Sequence, residues 1–480
     1  MCRRVVVVVV AVAVTAASVR MPDDSKKPRR PPRRKEKLPD VPCTARGCGI
    51  ATLVVVLAVG AAYYFNSRRR AFLASLAGPT GETVYDRGLV TRKSDAASVL
   101  VHQGRYNSNT TRRMLAPSLA LGFASWEHPR TLEVVRRFGR KLTHFAPLRA
   151  YGVDSAGELS HLLPDGALRT LASAAAGSAS GSRHAAAARP RLVPVVSLAG
   201  LDYARFFAGD EDSEAGEARG ELLVALAREV RRLKLDGLVL DAHVHAAPLE
   251  RTTLRAVLPQ LHIFVQLLAH QLSQLDPPAE LLLAVPPEHW APRGSTKQFR
   301  GLFSKSQFDQ LHWILGGFAL ATQNFSANLR VPGPSAPLEW VRAAANALAE
   351  PGSEDYAAAA AKLMVTVPLG GWDHPLPRTA AQLEVDGHGV AADQPVVLPP
   401  KPLSGAAYLD LLRAHRPRLE WVGDAAEHNF TYDDRGGAKH EVWHPTLKAL
   451  AERLGHLRQL GVGVALWELG DGLDYFYDLI

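Results

Sequence analysis

Beyond about residue 115 the chain alternates between two patterns. The first is a short, nearly unbroken apolar run. Eight of these occur: LALGFASW (119–126), LTHFAPL (142–148), RLVPVVSLAG (191–200), LDGLVLDAHVH (235–245), LLLAVPPE (281–288), GGFALATQNF (316–325), KLMVTVPLGGWD (362–373) and VGVALWELG (462–470). Runs of this length rich in Val and Leu read as strands buried on both faces. The second pattern places apolar residues three and four apart and predicts amphipathic helices. It covers TLEVVRRFGRK (131–141), GEARGELLVALAREVRRL (216–233), roughly 249–274, APLEWVRAAANALAE (336–350) and PTLKALAERLGHLRQLG (445–461). Pro337 and Pro445 stand in first turns, Gly461 stands as a cap, and Asp276-Pro277-Pro278 stops the long helix. The Ala/Ser/Gly stretch 171–189 reads as an alanine helix or a mobile loop.

Strands alternating with helices imply a parallel sheet. Eight such units predict an α/β fold, a (β/α)8 barrel over 115–480. A doubly wound open sheet fits less well, because no Gly-rich phosphate loop follows the first strand. The segment 374–444 carries Pro-rich loops and alternating runs such as HNFTYDD and AKHEVWHP. It predicts a small α+β subdomain inserted between strands seven and eight, with the RGG at 435–437 as a hairpin turn.

Upstream the pattern changes. VVVVVVAVAVTAASV (5–19) follows Arg3 and Arg4 and has the length of a signal-peptide core. It reads as a cleaved signal, a second span, or an extension ahead of a true start at Met21. GIATLVVVLAVGAAYYF (49–65) is uncharged, ends in aromatics and reaches the lower limit for a membrane span. The run KKPRRPPRRKEK (26–37) between them reads as an unfolded basic tail spanning 1–48. Positive charge outweighs on that side, so the tail is expected in the cytosol. The body is then lumenal or outside, in the secretory pathway or at the cell surface, with secretion as the alternative. Residues 66–114 form a stalk and lead-in.

Charge sharpens this division. Residues 1–70 hold 15 Lys and Arg against 4 Asp and Glu, a net +11, so the remaining 410 residues are close to neutral within an overall +9. A neutral body excludes nucleic acid as the partner. Cys2, Cys43 and Cys48 are the only cysteines, so the body can form no internal disulfide and no thiolate metal site. Cys43 and Cys48 read as palmitoylation sites or as free thiols. Sequons at Asn109, Asn324 and Asn429 are compatible with a lumenal body.

In a barrel of this type, chemistry sits at the C-terminal strand ends. There the sequence places Trp126, Asp241 and His243, Gln323 and Asn324, Trp372 and Asp373, and Trp467 and Glu468. Aromatic faces with a few convergent polar groups suit a saccharide, whose C–H faces are apolar and whose hydroxyls need partners. Asp241, His243 and His245 are metal-ligand types, but alternate residues of one strand rarely converge on an ion. No metal and no cofactor is expected.

LDGLVLDAHVH resembles the fourth-strand signature of glycoside hydrolase family 18, the chitinases, D-G-x-D-x-D-x-E. Asp236 and Gly237 fit, Val239 replaces the middle Asp, Asp241 keeps the last, and His243 stands at the Glu. VYDRGLVTRKSDAASVL (84–100), PGPSAPLEWVRA (332–343), HRPRLEW (415–421) and GVGVALWELGDGLDYFYDLI (461–480) are similar to the chitinase-domain-containing (stabilin-interacting chitinase-like) subgroup. The resemblance spans about 84–480. It implies substrate-assisted cleavage in which the Glu protonates the leaving oxygen and the last Asp orients the N-acetyl group. With His243 at the Glu, Val239 at the supporting Asp, and Gln323-Asn324 at a Tyr-Asp pair, it implies lost hydrolysis and retained binding of an N-acetylated oligosaccharide such as chitin. The alternatives are a hydrolase using His243 or Glu468 as acid, and an interaction protein that binds no sugar.

Overall fold

The computed structural model describes residues 77–177, 189–209, 212–241, 251–287, 289–290, 299–300, 303–329, 331–379, 395–396 and 398–480. The tail, the runs 5–19 and 49–65, His243 and His245 lie outside the described residues. Among the described residues, no helix is long and apolar enough to cross a membrane.

Eight apolar runs form parallel strands: Ala120–Ala124, His144–Pro147, 191–197, Gly237–Asp241, Glu280–Val285, Gly317–Leu320, Leu363–Pro368 and Gly463–Trp467. Each pairs with the next in chain order, and the eighth pairs back onto the first. The third is split at Pro194 into Arg191–Leu192 and Val195–Ser197. Its first half lies on strand two and its second half on strand four, which closes the ring. The amides of Asp236 and Val239 donate to the carbonyls of Leu192 and Pro194 across this joint.

Alternation sends every second side chain inward. The interior is a dry group of Leu121, Phe123, Ala146, Val193, Val195, Val239, Leu282, Ala284, Ala319, Met364 and Ala465. A second, larger core lies between the strands and their helices. Local signals set the helices. Ser213 caps Glu214–Leu233 through the Gly216 amide, and Thr446 caps Leu447–Gln459 through the Ala449 amide. Gly237 is required where strand four meets strand five, because a Cβ there would lie 2.2 Å from the Glu280 carbonyl.

The N-terminal end of the barrel is sealed by charge. Inward-facing Glu280 takes His144 Nε2 at 2.8 Å and Arg191 Nε at 2.9 Å. Asp236 accepts two bonds from Arg189, at 2.6 and 2.9 Å, and the Leu192 amide at 2.7 Å. Burial raises the Asp236 pKa, but these bonds and the Arg189 charge prevail and hold it below the usual carboxylate range.

Between strands seven and eight lies a five-stranded sheet that includes Gly371–Pro375, Lys401–Leu403, Glu420–Val422, Glu427–Asp433 and Lys439–Trp443. The turn at 434–438 joins the last two strands, with Asp434 accepting the Gly436 and Ala438 amides. Buried Glu427 roots this sheet in the barrel's helical layer, taking the Ser335 and Ala336 amides and the Arg453 guanidinium. Trp372 and Asp373 belong to this sheet, not to the end of strand seven. The strand ends at Pro368, and the backbone turns at Gly370-Gly371. A Cβ on Gly371 would lie 2.2 Å from the Trp443 carbonyl. The apolar run continues through this turn, so hydrophobicity alone gives no sign of the change of sheet.

Candidate functional site

The C-terminal end of the barrel is floored by aromatics. Trp467 ends strand eight, belongs to the interior group and lies on Phe123 with ring centres 5.3 Å apart. Asp241 ends strand four, half-buried, opposite Ser197 and Ala284 in the register. It stands two residues beyond Val239, so alternation gives both the inward face. Behind burial, the Asp241 charge is the other cause that raises the Tyr203 hydroxyl pKa above its ordinary value.

After strand six the chain turns sharply. Asn324 adopts a left-handed φ of 68°. Its Oδ1 accepts the Trp372 indole N–H at 3.0 Å, joining the inserted sheet to the mouth. Gln323 Oε1 is buried without a hydrogen-bond partner among the described residues. Trp126 instead packs against the outer core, away from the interior group.

Glu468 is tied between strands. Ser125 Oγ donates to Oε2 at 2.5 Å, and the Ser125 amide reaches both oxygens at 3.2 Å. Burial pushes its pKa up, the Ser125 bonds pull it down, and the balance lies above the usual range. Beside it, His128 Nε2 lies 3.1 Å from Asp471 Oδ1. These contacts join the ends of strands one and eight and occupy the carboxylate.

The inserted sheet adds a wall that strand-end reasoning misses. Trp372 pairs with Trp443, and His374 pairs with Glu441. Pairs directly opposite share a face. Glu441 Oε1 accepts the Trp443 indole at 2.7 Å and the Asn429 amide at 3.2 Å. Two indoles, a carboxylate and an amide therefore lie on the face that meets Asn324. The signal was present in AKHEVWHP, where a period of two puts Glu441 and Trp443 together. On the opposite face Asp373 accepts the Tyr432 hydroxyl at 2.8 Å and lies 2.8 Å from His440 Nδ1. His374 is buried and its Nε2 has no hydrogen-bond partner among the described residues. Burial lowers its pKa to about 4, against a small upward pull from Asp373.

No family model matches the sequence. Solved structures are similar to it. A chitinase from Chromobacterium violaceum aligns with a TM-score of 0.54 at 15% identity, covering 75% of this chain and 98% of that one. A GH18 chitinase from Cycas revoluta, solved with (GlcNAc)3, aligns at 0.54 and 14%, covering 75% and 98%. The Bacillus cereus spore cortex-lytic enzyme SleL aligns at 0.53 and 15%, covering 75% and 73%.

The chain has the fold of the family 18 chitinases.

On this chitinase-like barrel the strand-four signature separates into two ends. Asp236 lies at the N-terminal end, five residues before Asp241 and so about 16 Å from the mouth. It holds strand three to strand four and is remote from the mouth. Val239 is fully buried in the apolar interior. Asp241 alone of the described signature carboxylates reaches the mouth, and His243 lies outside the described residues. Of the candidate metal set Asp241, His243 and His245, only Asp241 is described. Among the sequons, Asn109 is exposed, whereas the Asn324 and Asn429 side chains are engaged by Trp372 and Glu441.

Proposed function

We propose that this chain binds an N-acetylated oligosaccharide through the mouth of its chitinase-like barrel and has lost hydrolysis. The observation that carries the reading is Val239. The inward residue beneath Asp241 is an apolar valine in the barrel interior, where the signature places a second carboxylate that would tune the Asp241 charge. With His243 at the position of the proton-donating Glu, both the acid and its support are altered in sequence. The aromatic floor at Trp467 and the half-buried Trp372 of the inserted sheet supply apolar faces for sugar rings, with Trp443 buried within that sheet, and Asp241, Gln323 and Asn324 supply polar atoms for hydroxyls. The family 18 chitinase of Cycas revoluta is solved with (GlcNAc)3 and, as a mutant, with (GlcNAc)4, which supports that ligand class.

A hydrolase with altered machinery is the second reading. One observation favours it: burial holds the Glu468 carboxyl above the ordinary range. Against it, the Ser125 hydroxyl and amide both favour the ionised form. Chitin-oligomer binding and product release, measured on the same protein, separate the readings. Binding that falls at least tenfold in Trp467→Ala, with no product, supports the proposal. Product lost in Glu468→Gln or His243→Ala supports the second reading. Neither binding nor product leaves a scaffold that recruits a protein partner.

For the N-terminus, the same proposal has residues 49–65 anchoring a lumenal body in the secretory pathway. Resistance to alkaline carbonate extraction, with the body protected from added protease in sealed vesicles, is the expected result.

A further inference from the structure

His312 is stacked on Phe308, but that packing leaves one of its ring nitrogens unsatisfied. It caps the helix Lys305–Leu311 ahead of strand six and is 1% exposed. Its Nδ1 lies 3.1 Å from the Asp309 carbonyl and 3.3 Å from the Phe308 carbonyl. Carbonyls only accept, so Nδ1 carries a proton, and in the neutral ring Nε2 presents a lone pair. That Nε2 is buried and has no hydrogen-bond partner among the described residues. Facing it is another acceptor, Asp355 Oδ2 at 3.9 Å, beyond hydrogen-bond reach. The Asp309 carboxylate completes the group, and ligand atoms of all three residues lie within 4.8 Å of one another. Lone pair and carboxylates converging on one point repel unless a proton or a metal cation lies between them.

We propose that Asp309, His312 and Asp355 bind a divalent transition-metal cation of the Zn2+ class. One imidazole nitrogen and two carboxylate oxygens suit such an ion and leave a fourth position for water. An imidazole fixed through Nδ1–H on a backbone carbonyl is the usual second layer of support for a metal-bound histidine. Asp309 and His312 are three apart at the end of one helix and share its face. Asp355 comes from the residue preceding Tyr356–Lys362, where its side chain makes no capping hydrogen bond. Tetrahedral bonds of about 2.0–2.1 Å set donors about 3.3 Å apart. The two aspartates, both partly exposed, close that gap by rotating while His312 stays fixed. Lys305 Nζ, at 2.8 and 2.9 Å from the Asp309 oxygens, is the cation that the metal displaces. The bound ion ties the segment before strand six to the segment before strand seven.

The test is titration of the chelator-stripped full chain with Co2+, read by visible d–d absorption, with thermal melting in parallel. Wild type is expected to bind one saturable equivalent at this site, released by Zn2+, and to melt higher with metal. Asp355→Asn, at a partly exposed position, loses that equivalent and the melting shift. Lys305→Met, which removes the competing cation, tightens binding about tenfold. His312→Gln also loses the equivalent, but its buried position makes Asp355→Asn the deciding variant. The chain has 18 histidines and 3 cysteines, so uptake elsewhere is read as the part shared by all variants. No uptake by folded wild type, or equal uptake and equal melting shift in Asp355→Asn, overturns the proposal.

Discussion

The two ends of the barrel treat polar residues in opposite ways. At the N-terminal end, carboxylates are consumed. Glu280 satisfies His144 and Arg191, and Asp236 satisfies Arg189 and the Leu192 amide. At the mouth, rings do much of the lining, and a polar atom such as Gln323 Oε1 is left without a hydrogen-bond partner among the described residues. Glu468 follows the first habit at the second place, because Ser125 occupies it. The lesson is that position along a strand, more than residue type, decides whether a carboxylate works for stability or for a ligand.

The largest effect that sharpens this contrast is expected from Val239→Asp, which restores the signature carboxylate. It places a charge in a dry interior and should cost about 4 kcal/mol or more, without bringing hydrolysis back. Denaturant unfolding and a chitin-oligomer assay on the same protein check both parts; gain of hydrolysis would break the contrast.

Next come the histidines. His144 is paired at the N-terminal end, whereas His374 and His444 on the inserted segment are buried, and burial lowers both to about 4. Their folded values lie below the unfolded value near 6.5, so the unfolded chain binds more protons between those limits. The stability they contribute is therefore full above about pH 6.5 and falls as pH drops toward 4, by about 3 kcal/mol for each. The double variant His374→Gln with His444→Gln should flatten the acid limb of a Tm-against-pH curve. An unchanged limb would mean that other groups govern acid stability.

The smallest effects form a matched pair. Glu280→Ala should cost about 2 kcal/mol of stability by leaving His144 and Arg191 unpaired, with glycan affinity unaltered. Trp372→Phe should cost about 1 kcal/mol by losing the indole bond to Asn324. It should weaken glycan binding about fivefold while leaving the N-terminal end intact. Affinities that move in Glu280→Ala and stay fixed in Trp372→Phe would reverse the assignment of the two ends.

The barrel strands were legible because fully buried strands read as continuous apolar runs. What the pattern could not carry was a change of partner inside one run. Trp372 follows the seventh strand without a polar break, and only the backbone bend at Gly370-Gly371 sends it into another sheet. The signature around Asp236 was legible as a motif, but its two carboxylates lie at opposite ends of one strand, which spacing alone shows once the strand is drawn out. Trp443 and Glu441 were visible as an alternating strand but not as a wall, because that depends on the partner strand Gly371–Pro375. Asp309, His312 and Asp355 gave no signal, since 43 positions separate His312 from Asp355 and no spacing rule joins them.

A ring of strands is only as tight as its weakest joint, and Pro194 marks that joint. Proline has no N–H, so the third strand passes from its second-strand partner to its fourth-strand partner without a donor at the crossing. Deuterium from the solvent should enter the barrel there first, through the amides flanking Pro194, while the hydrogen bonds between strands seven and eight are still closed.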